Sequence, residues 1–406
     1  MAKINPADIE AQKNLNTELE CAKRRGSRAS GIALISLCLL MLFGFGIAIH
    51  LKDHPSFSPE ENRTLTTDIE LSASDILDGS ATGSINSFYT DQFPFRSFFL
   101  KLKALCELGA VKYENNGVIV GSHGYIVKKL EYTDYSDAEK GALAAKLFSE
   151  KLKADGKTVS VAITPRSIDV LRKYIPDAYA YDRADAIWSH IDGSGLEYVD
   201  LRDELTRRAN GGENVYFKTD HHWTTLGAYV AYVELADELG YEPLPLDKFR
   251  REVISEEFFG TTHSSAGLSF VSPDTLELFR YDGDDAYTVE IVNGDVAQNI
   301  GGLYDLSKLD TKDKYSVFLS GNPAHMRVSK GEGEREKLVI IKDSFANSLV
   351  PFLAIHYDLE IIDVRYFTDS IYGFITENGI DNVLVLYNAD SMATSDALAR
   401  LAYGLS

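Results

Sequence analysis

The stretch Asp220-His221-His222-Trp223 concentrates side chains that could do chemistry, with an acid and two imidazoles in three consecutive residues. Histidine is scarce, with 9 in 406 residues, so composition alone does not explain the cluster. The Asp-x-His spacing lets a carboxylate hold a nearby imidazole in one tautomer, as in a nucleophile–base–orienter triad. Asp220 and His222 are therefore candidates for orienter and base, and the nucleophile must come from elsewhere in the chain.

The elements that must position these residues alternate as in an α/β protein. Continuous apolar runs are separated by helix-length segments, a pattern typical of buried parallel strands with crossover helices. The pattern predicts strands over 158–164, 196–201, 315–320, 337–341, 359–364 and 382–387, and a β-hairpin over 117–127. It predicts helices from after Pro94 to Ala110, and over 138–154, 182–194, 224–239, 345–357 and 370–378. Residues 245–313 break this rhythm, and we interpret them as a β-rich insertion.

Several polar residues directly follow predicted strands and are thus expected at one edge of the sheet, where ligands bind in this fold class. Ser344 lies at a strand-to-helix turn, where its Oγ would be exposed and backbone N–H groups could bind an oxyanion. It is the candidate nucleophile. The other candidates, for oxyanion or substrate binding, are Asn322, Asn388, Arg365 and Tyr366.

Each of these residues also has a purely structural interpretation. Ser344 or Asp343 could cap the following helix, and Asp220 with His222 could be a buried polar pair. Asn322 and Asn388 could be turn residues, and Arg365 could form an ordinary surface ion pair. The combination on one edge of one sheet favours the catalytic interpretation.

A metal site at Asp220, His221 and His222 is a further alternative. Adjacent histidines point to opposite sides of an extended chain, so they rarely bind one ion. We therefore predict neither a metal nor a cofactor, and a packing role for His221 and Trp223.

The N-terminal region predicts a membrane anchor. Residues 31–49 carry no charge, and at ~1.5 Å per residue about 19 residues reach roughly 28 Å, the thickness of a bilayer core. A basic cluster before this segment predicts that residues 1–30 form a cytoplasmic tail. A buried core helix is disfavoured because every face is apolar. A cleavable signal peptide is disfavoured because no small-residue cleavage site follows. Residues 50–85 are expected to be a linker, and residues 86–406 an extracellular domain in a single-pass protein of the cell membrane.

Composition narrows the possible partners. The net charge of −20 argues against nucleic acid, which requires a basic surface, but is compatible with a neutral polysaccharide. The three cysteines, Cys21, Cys38 and Cys106, are distributed within and on both sides of the apolar segment, so a disulfide framework is not expected.

Two motifs together resemble a known family. Residues 216–228, around Asp220-His221-His222-Trp223, and residues 341–348, around Asp343-Ser344-Phe345, resemble the DHHW family of Gram-positive bacteria. More distantly, they resemble the SGNH-like alginate O-acetyltransferases. Supporting matches lie at 62–63, 91–96, 121–125, 259–261 and 319–322. One departure is Lys342, which stands where the usual Gly-Asp-Ser motif has glycine.

The resemblance implies an SGNH-hydrolase-like three-layer α/β/α domain with a mostly parallel sheet. It also implies a triad of Ser344 as nucleophile, His222 as base and Asp220 as orienter. The expected activity is O-acetylation of a cell-surface or secreted polysaccharide through an acyl-serine intermediate, with a membrane-embedded acyltransferase supplying the acetyl group. A carbohydrate esterase with the same residues, or a non-catalytic glycan-binding or assembly protein, remains an alternative.

Overall fold

The computed structural model describes residues 6–58, 63–69, 72–130, 134–179, 182–268, 271–294, 296–331 and 335–405. The chain divides into two compact units. The first comprises residues 1–58 and 63–100, and the second comprises residues 59–62 and 101–406.

The first unit is dominated by one long helix. Helix α1 (Pro6–Leu51) contains an apolar stretch, Ala29–Leu51, that is long and apolar enough to cross a membrane. The other elements of this region are β1 (Phe57–Ser58), β2 (Arg63–Thr64), α2 (Ala73–Asp78), α3 (Ser80–Asp91) and the start of α4 (Arg96–Gly109). Residues 50–85, predicted as a linker, thus include α2 and part of α3.

The second unit contains the remaining elements. Its strands are β3 (Glu114–Asn115), β4 (Val118–Val120), β5 (Ile126–Lys128), β6 (Thr158–Thr164), β7 (Val199–Asp200), β8 (Arg250–Phe258), β9 (Asp274–Arg280), β10 (Tyr287–Asn293), β11 (Val296–Gly301), β12 (His325–Lys330), β13 (Lys337–Lys342), β14 (Asp358–Asp363) and β15 (Asn382–Asn388). Its α-helices are α5 (Ser136–Ala154), α6 (Ser167–Val170), α7 (Asp182–Gly193), α8 (Arg202–Asn210), α9 (Thr225–Glu234), α10 (Ala236–Leu239), α11 (Thr261–Ala266), α12 (Val350–Leu353), α13 (Ile371–Glu377) and α14 (Ala389–Thr394).

The central sheet is mixed, with the order β11-β10-β12-β14-β13-β15-β6-β7. Strands β14, β13, β15, β6 and β7 are parallel, whereas β12, β10 and β11 pair antiparallel along one side. The α/β fold class is therefore confirmed, with a mixed sheet. The carboxyl ends of the parallel strands share one edge, and the chain enters the antiparallel β12 from that same edge.

Apolar side chains pack on both faces of this sheet. Along β13, Leu338 and Ile340 join one buried cluster, and Val339 with Ile341 join another. The first cluster includes residues of α6, α8, α9 and α12, and the second includes residues of α5, α7, α13 and α14. Because neighbouring side chains on a strand point to opposite faces, a continuous apolar run is what burial on both faces requires.

The prediction of a strand over 315–320 is wrong. Residues Lys314–Val317 form a 3₁₀ helix, and Leu319 and Ser320 adopt left-handed backbone conformations with φ of 59° and 56°. The apolar run is instead buried by side-chain packing, since Tyr315, Val317 and Phe318 join a cluster with Phe217 and Phe258. Asn322 nevertheless lies just before β12, on the predicted edge of the sheet.

The predicted helix over 345–357 is shorter than expected. Residues Ser344–Ser348 form a 3₁₀ helix, and only Val350–Leu353 are α-helical. Pro351, in the first turn of α12, has no N–H group to donate to the Asn347 carbonyl four residues earlier, so the two helical pieces do not merge.

The predicted helix over 224–239 is likewise divided, into α9 and α10. Thr224 caps α9 by accepting a hydrogen bond from the Gly227 N–H group. The helical spacing of Leu226, Tyr229, Val230, Val233 and Leu235 predicts one broad buried face, but Val233 is 38% exposed.

The insertion over 245–313 is only partly separate from the main sheet. Strands β8 and β9 form their own two-stranded sheet, whereas β10 and β11 extend the central sheet through β12. Helix α11, between β8 and β9, begins at Thr261, which contacts the candidate site directly.

Candidate active site

Asp220, His222 and Ser344 lie in one hydrogen-bonded line. His222 Nδ1 is 2.5 Å from Asp220 Oδ1, and His222 Nε2 is 2.8 Å from Ser344 Oγ. Asp220 and His222 are buried, and Ser344 is half-buried. Because the acidic partner only accepts, Nδ1 carries the proton and Nε2 is left to accept from the serine hydroxyl. This is the hydrogen-bond order that a base needs in order to activate a nucleophile.

Thr261 completes the environment of Asp220. Its backbone N–H donates to Asp220 Oδ2 at 2.7 Å and its hydroxyl donates to the same oxygen at 3.0 Å. Burial by itself would raise the pKa of Asp220. The adjacent His221 and His222 imidazoles, with hydrogen bonds from His222, outweigh that effect and hold this pKa well below its ordinary range. Asp220 is therefore a carboxylate at neutral pH.

Gly260 lets the insertion approach Asp220 closely. A Cβ atom at this position would lie 2.2 Å from both Cβ and Oδ2 of Asp220, a distance that no side chain tolerates. Glycine is thus required so that the backbone of α11 can donate to the carboxylate.

His221 joins the same network through Thr261. Its Nδ1 is 2.7 Å from Thr261 Oγ1. Since that hydroxyl already donates to Asp220, its oxygen accepts from His221 Nδ1–H. Partial burial lowers the pKa of His221, and the nearby His222 lowers it further, which favours the neutral imidazole. His221 therefore does more than fill space, as it helps to orient the threonine that holds the acid.

Asp274 holds the loop that carries Asp220 and His222 through hydrogen bonds to the residues just before Asp220. This buried carboxylate accepts from the backbone N–H groups of Lys218 and Thr219, and from the Thr219 hydroxyl at 2.6 Å. On the other side of the loop, Trp223 Nε1 donates to the Phe345 carbonyl and to Ser348 Oγ, both at 3.0 Å. The predicted packing role of Trp223 thus includes a direct connection between the two sequence motifs.

The turn at Ser344 leaves its hydroxyl available for His222. Asp343, rather than Ser344, caps the following 3₁₀ helix, accepting from the Phe345 N–H at 3.0 Å. Its second oxygen accepts from the Asn388 N–H at 2.9 Å, which joins this turn to the end of β15. Tyr315 stacks on the His222 imidazole with ring centroids 4.0 Å apart and fixes the plane of the ring.

Lys342 lies fully buried at the end of β13, immediately before this turn. Its ammonium donates to Asn322 Oδ1 at 2.8 Å and to Asn347 Oδ1 at 2.7 Å, and lies 3.6 Å from Asp363 Oδ2. Burial lowers the pKa of Lys342 to about 8, although Asp363 opposes the shift. Asn347 Nδ2 also donates to Asn322 Oδ1, at 3.1 Å. Because both of these donors bind the oxygen of Asn322, the Asn322 Nδ2 group is left to donate elsewhere.

The other predicted residues lie on the same edge but have different bonding. Asn388 is buried, and its Nδ2 donates to the carbonyls of Thr164 and Pro165, so its amide hydrogens are already engaged. Arg365 makes a two-point ion pair with Asp363 and lies over the Tyr366 ring. Tyr366 is 56% exposed.

The ligand atoms of Asp220, His221 and His222 lie within 4.8 Å of one another, which is close enough to hold an ion. Both ring nitrogens of His222 are already engaged, one with Asp220 and one with Ser344. Binding a metal through this ring would therefore break one of the two contacts, and the residues fit a hydrogen-bonded relay better than a metal centre.

A cavity of about 530 Å³ adjoins the site. It reaches His221 and Thr261, and three more of its lining residues, Thr262, Ser265 and Thr394, carry hydroxyl groups. The charge of Lys128 on this wall is neutralised by Asp390 at 2.9 Å. The cavity thus presents hydrogen-bonding groups beside His221 and Thr261.

Sequence reasoning did not assign Thr261, Asp274, Tyr315 or Lys342 to the site. Residues 259–261 enter the sequence argument only through the family resemblance. No spacing rule connects Asp274 to Thr219 or Tyr315 to His222, because these contacts arise from the tertiary fold. Lys342, by contrast, has a detectable signal, since a lysine inside an apolar strand must find a buried partner.

Comparison with known proteins agrees with the two motifs. Residues 195–362 match the DHHW protein family. The fold matches the crystal structure of a DHHW family protein from Eubacterium siraeum with a TM-score of 0.58 and 23% identity, covering 71% of this chain and 95% of that chain. The resemblance to the DHHW family is confirmed. The DHHW segment contains Asp220, His222, Thr261 and Ser344, whereas Arg365, Tyr366 and Asn388 lie beyond it.

Two further relatives extend the comparison. Over 258 residues the chain is 22% identical to a probable alginate O-acetylase AlgJ of Pseudomonas fluorescens, and the match spans 62% of each protein. Bacillus cereus PatB1, solved with a sulfonyl adduct, superposes with a TM-score of 0.57 and 18% identity, over 69% of this chain and 98% of that chain. The similarity to PatB1 concerns the fold. The AlgJ match covers less than two thirds of that protein's length.

Proposed function

We propose that this protein is a membrane-anchored serine O-acetyltransferase that modifies a polysaccharide outside the cell. The observation that carries the proposal is the line from Asp220 through His222 to Ser344 Oγ, with contacts of 2.5 and 2.8 Å. The distant relationship to an alginate O-acetylase supports the reaction class. The helices against both faces of the sheet support an SGNH-like three-layer arrangement.

The reaction proceeds in two halves. Ser344 Oγ attacks the acetyl carbonyl carbon of the donor while its proton passes to His222 Nε2. The tetrahedral intermediate collapses, the proton returns to the leaving group, and acetyl-Ser344 remains. A sugar hydroxyl then loses its proton to His222, attacks the acyl carbon, and releases Ser344 with its proton restored. Asp220 stabilises the imidazolium in both halves.

The oxyanion of each tetrahedral intermediate needs hydrogen-bond donors. We assign this role to the Ser344 N–H group and to Asn322, whose oxygen is held by Lys342 so that its Nδ2 is free to donate. Asn388 serves the site indirectly, because its own N–H group holds Asp343 and its amide holds the end of β6. Arg365 and Tyr366 remain the proposed contacts to substrate.

The proposed acceptor site is the cavity beside His221 and Thr261. Hydroxyl and amide groups on its wall suit the hydrogen-bonding pattern of a sugar chain, and the paired charge of Lys128 suits a neutral one. The proposed donor is a membrane-embedded acyltransferase, because acetyl-coenzyme A is cytosolic and the domain lies outside. The apolar stretch of α1 would keep the two proteins in the same membrane.

The test is a partition experiment. The full chain, extracted from membranes, is incubated with p-nitrophenyl acetate, with and without a neutral oligosaccharide. We expect acetylated sugar to form and free acetate to fall when the oligosaccharide is present, and Ser344→Ala to form neither product. Free acetate alone, unchanged by the sugar, would identify an esterase. Equal background turnover by the wild type and Ser344→Ala would identify a non-catalytic protein.

A further inference from the structure

The segment 88–93, which comprises the end of α3 and the two residues after it, runs back toward the apolar part of α1. Three ring contacts within the first unit define its direction. Phe88 packs against His54, Tyr89 against His50, and Phe93 against Phe45, with centroid distances of 5.1, 6.0 and 4.9 Å. From residue 88 to residue 93, the contacted residue changes from 54, just after α1, to 45, within α1. The segment therefore runs antiparallel to α1.

This register sets a depth if the apolar stretch spans a bilayer, as the proposed function assumes. Phe45 lies six residues before Leu51, the end of the apolar stretch, which corresponds to roughly 9 Å along the helix axis. A 23-residue stretch exceeds a ~30 Å hydrocarbon core only slightly. A side chain that packs on Phe45 is thus below the level of the headgroups, whereas Tyr89 beside His50 is at the level where tyrosine is enriched.

The turn at this depth carries several phenylalanine side chains that are exposed. We define the aromatic tip as Phe93, Phe95, Phe98 and Phe99. Phe95, Phe98 and Phe99 are 75%, 60% and 40% exposed. Phe95 has a φ of 57°, a conformation that bulky side chains rarely adopt. Arg96, within the same turn, directs its Nε back to the Thr90 carbonyl at 3.0 Å, toward the water side.

The base of the tip is held rigidly. Gln92 is fully buried, and its Nε2 donates to the carbonyls of Pro55 and Thr66 at 3.2 and 2.8 Å. Asp91 accepts from the Thr66 N–H at 3.0 Å. Polar bonds thus fix the segment above the tip, while the exposed rings beyond it have no comparable cover from the described residues of the first unit.

We propose that the aromatic tip inserts into the outer leaflet of the membrane beside α1 and contacts lipid acyl chains. Exposed phenylalanine rings gain free energy when they leave water, and a fixed contact with the apolar helix places them where hydrocarbon is available. The tip then fixes how the chain leaves the membrane, instead of leaving the C-terminal end of α1 free to swivel.

The experiment places an environment-sensitive fluorophore at single cysteines in the full chain, after replacement of Cys21, Cys38 and Cys106 by alanine. The labelled positions are Phe95→Cys and Phe98→Cys in the tip, Phe43→Cys in the apolar stretch, and Ser84→Cys in the exposed part of α3. The protein is reconstituted into vesicles of phosphatidylglycerol and phosphatidylethanolamine, with or without lipid that carries a doxyl quencher near the carbonyl end of the acyl chain.

We expect the labels at Phe95 and Phe98 to emit at shorter wavelength than the label at Ser84 and to lose intensity with doxyl lipid. The Phe43 label separates this proposal from the anchor itself, because its quenching shows that α1 has inserted. Quenching at Phe43 with water-like emission at Phe95 and Phe98 would overturn the proposal, since the tip would then need a protein partner. A Phe43 label that is not quenched would contradict the anchor and the proposal together.

Discussion

At the scale of single residues, the site depends on how completely Asp220 is satisfied. It receives hydrogen bonds from His222, from the Thr261 backbone and from the Thr261 hydroxyl. Such a carboxylate stays ionised and holds His222 in one tautomer. The hydrogen-bond pattern thus gives each of these residues a separate task.

Replacement of Asp220 tests this assignment. In Asp220→Asn the amide can donate to His222 Nδ1, which favours the tautomer with a proton on Nε2 and removes the acceptor for Ser344. We expect kcat for acetyl-ester turnover to fall by about 10³–10⁴-fold, with a circular dichroism spectrum like that of the wild type. A loss below about tenfold in a folded variant would show that Asp220 does not orient the base.

At the scale of elements, the parallel strands were predictable and the loops between them were not. The strands over 158–164, 337–341, 359–364 and 382–387 were found because burial on both faces demands continuous apolar runs. The run over 315–320 has the same composition but is buried as a 3₁₀ turn within an aromatic cluster. An apolar run therefore predicts that its residues are buried, but it does not predict their backbone conformation.

The same distinction applies to the site. Asp220, His222 and Ser344 were identifiable because their residue types and neighbours carry chemical meaning. Thr261 and Tyr315 were not, because their roles come from contacts between distant parts of the chain. Asn388 was assigned to the correct edge of the sheet, but its buried amide is engaged with the main chain in a way that only the fold reveals.

Lys342 connects β13 to this site and gives a pH-dependent prediction. Its pKa is about 8 in the folded chain, against an ordinary value of 10.5 when unfolded. Between these values the unfolded chain binds more protons, so raising the pH stabilises the fold. We expect the free energy of unfolding of the wild type, relative to Lys342→Met, to rise by roughly 1–2 kcal/mol from pH 7.5 to 9.5.

Urea unfolding at both pH values measures this difference. The matched control is Lys337→Met, at the exposed beginning of the same strand. The difference in the free energy of unfolding between the wild type and Lys337→Met should not change with pH. A difference between wild type and Lys342→Met that stays constant would mean that Lys342 titrates normally and is not desolvated.

At the scale of the whole molecule, the chain combines an apolar helix with a strongly acidic remainder. The apolar stretch Ala29–Leu51 is only 6% buried over its most hydrophobic window, which is unlike a core helix of a water-soluble protein. With a net charge of −20, the chain is poorly suited to bind anionic polymers unless local charge is compensated. Both features fit a domain held at a membrane surface and acting on a neutral glycan.

The natural cysteines test the orientation of the anchor. In intact cells stripped of their wall, we expect a membrane-impermeant maleimide to label a variant that retains only Cys106, which is exposed. A variant that retains only Cys21 should be labelled only after lysis, because a basic flank favours a cytoplasmic location for that end. Labelling of Cys21 in intact cells would contradict this orientation, and a mature protein that lacks residues 1–49 would establish a cleaved signal peptide.

In the proposed reaction, Ser344 carries the acetyl group between donor and acceptor. The most direct measurement is mass spectrometry of the full chain, quenched in acid during turnover of an acetyl ester and then digested. We expect an acetyl group on the peptide that contains Ser344, much less of it in His222→Gln, and its loss when an oligosaccharide acceptor is added. An active enzyme that never acetylates Ser344, or that retains its activity in Ser344→Ala, would contradict this mechanism.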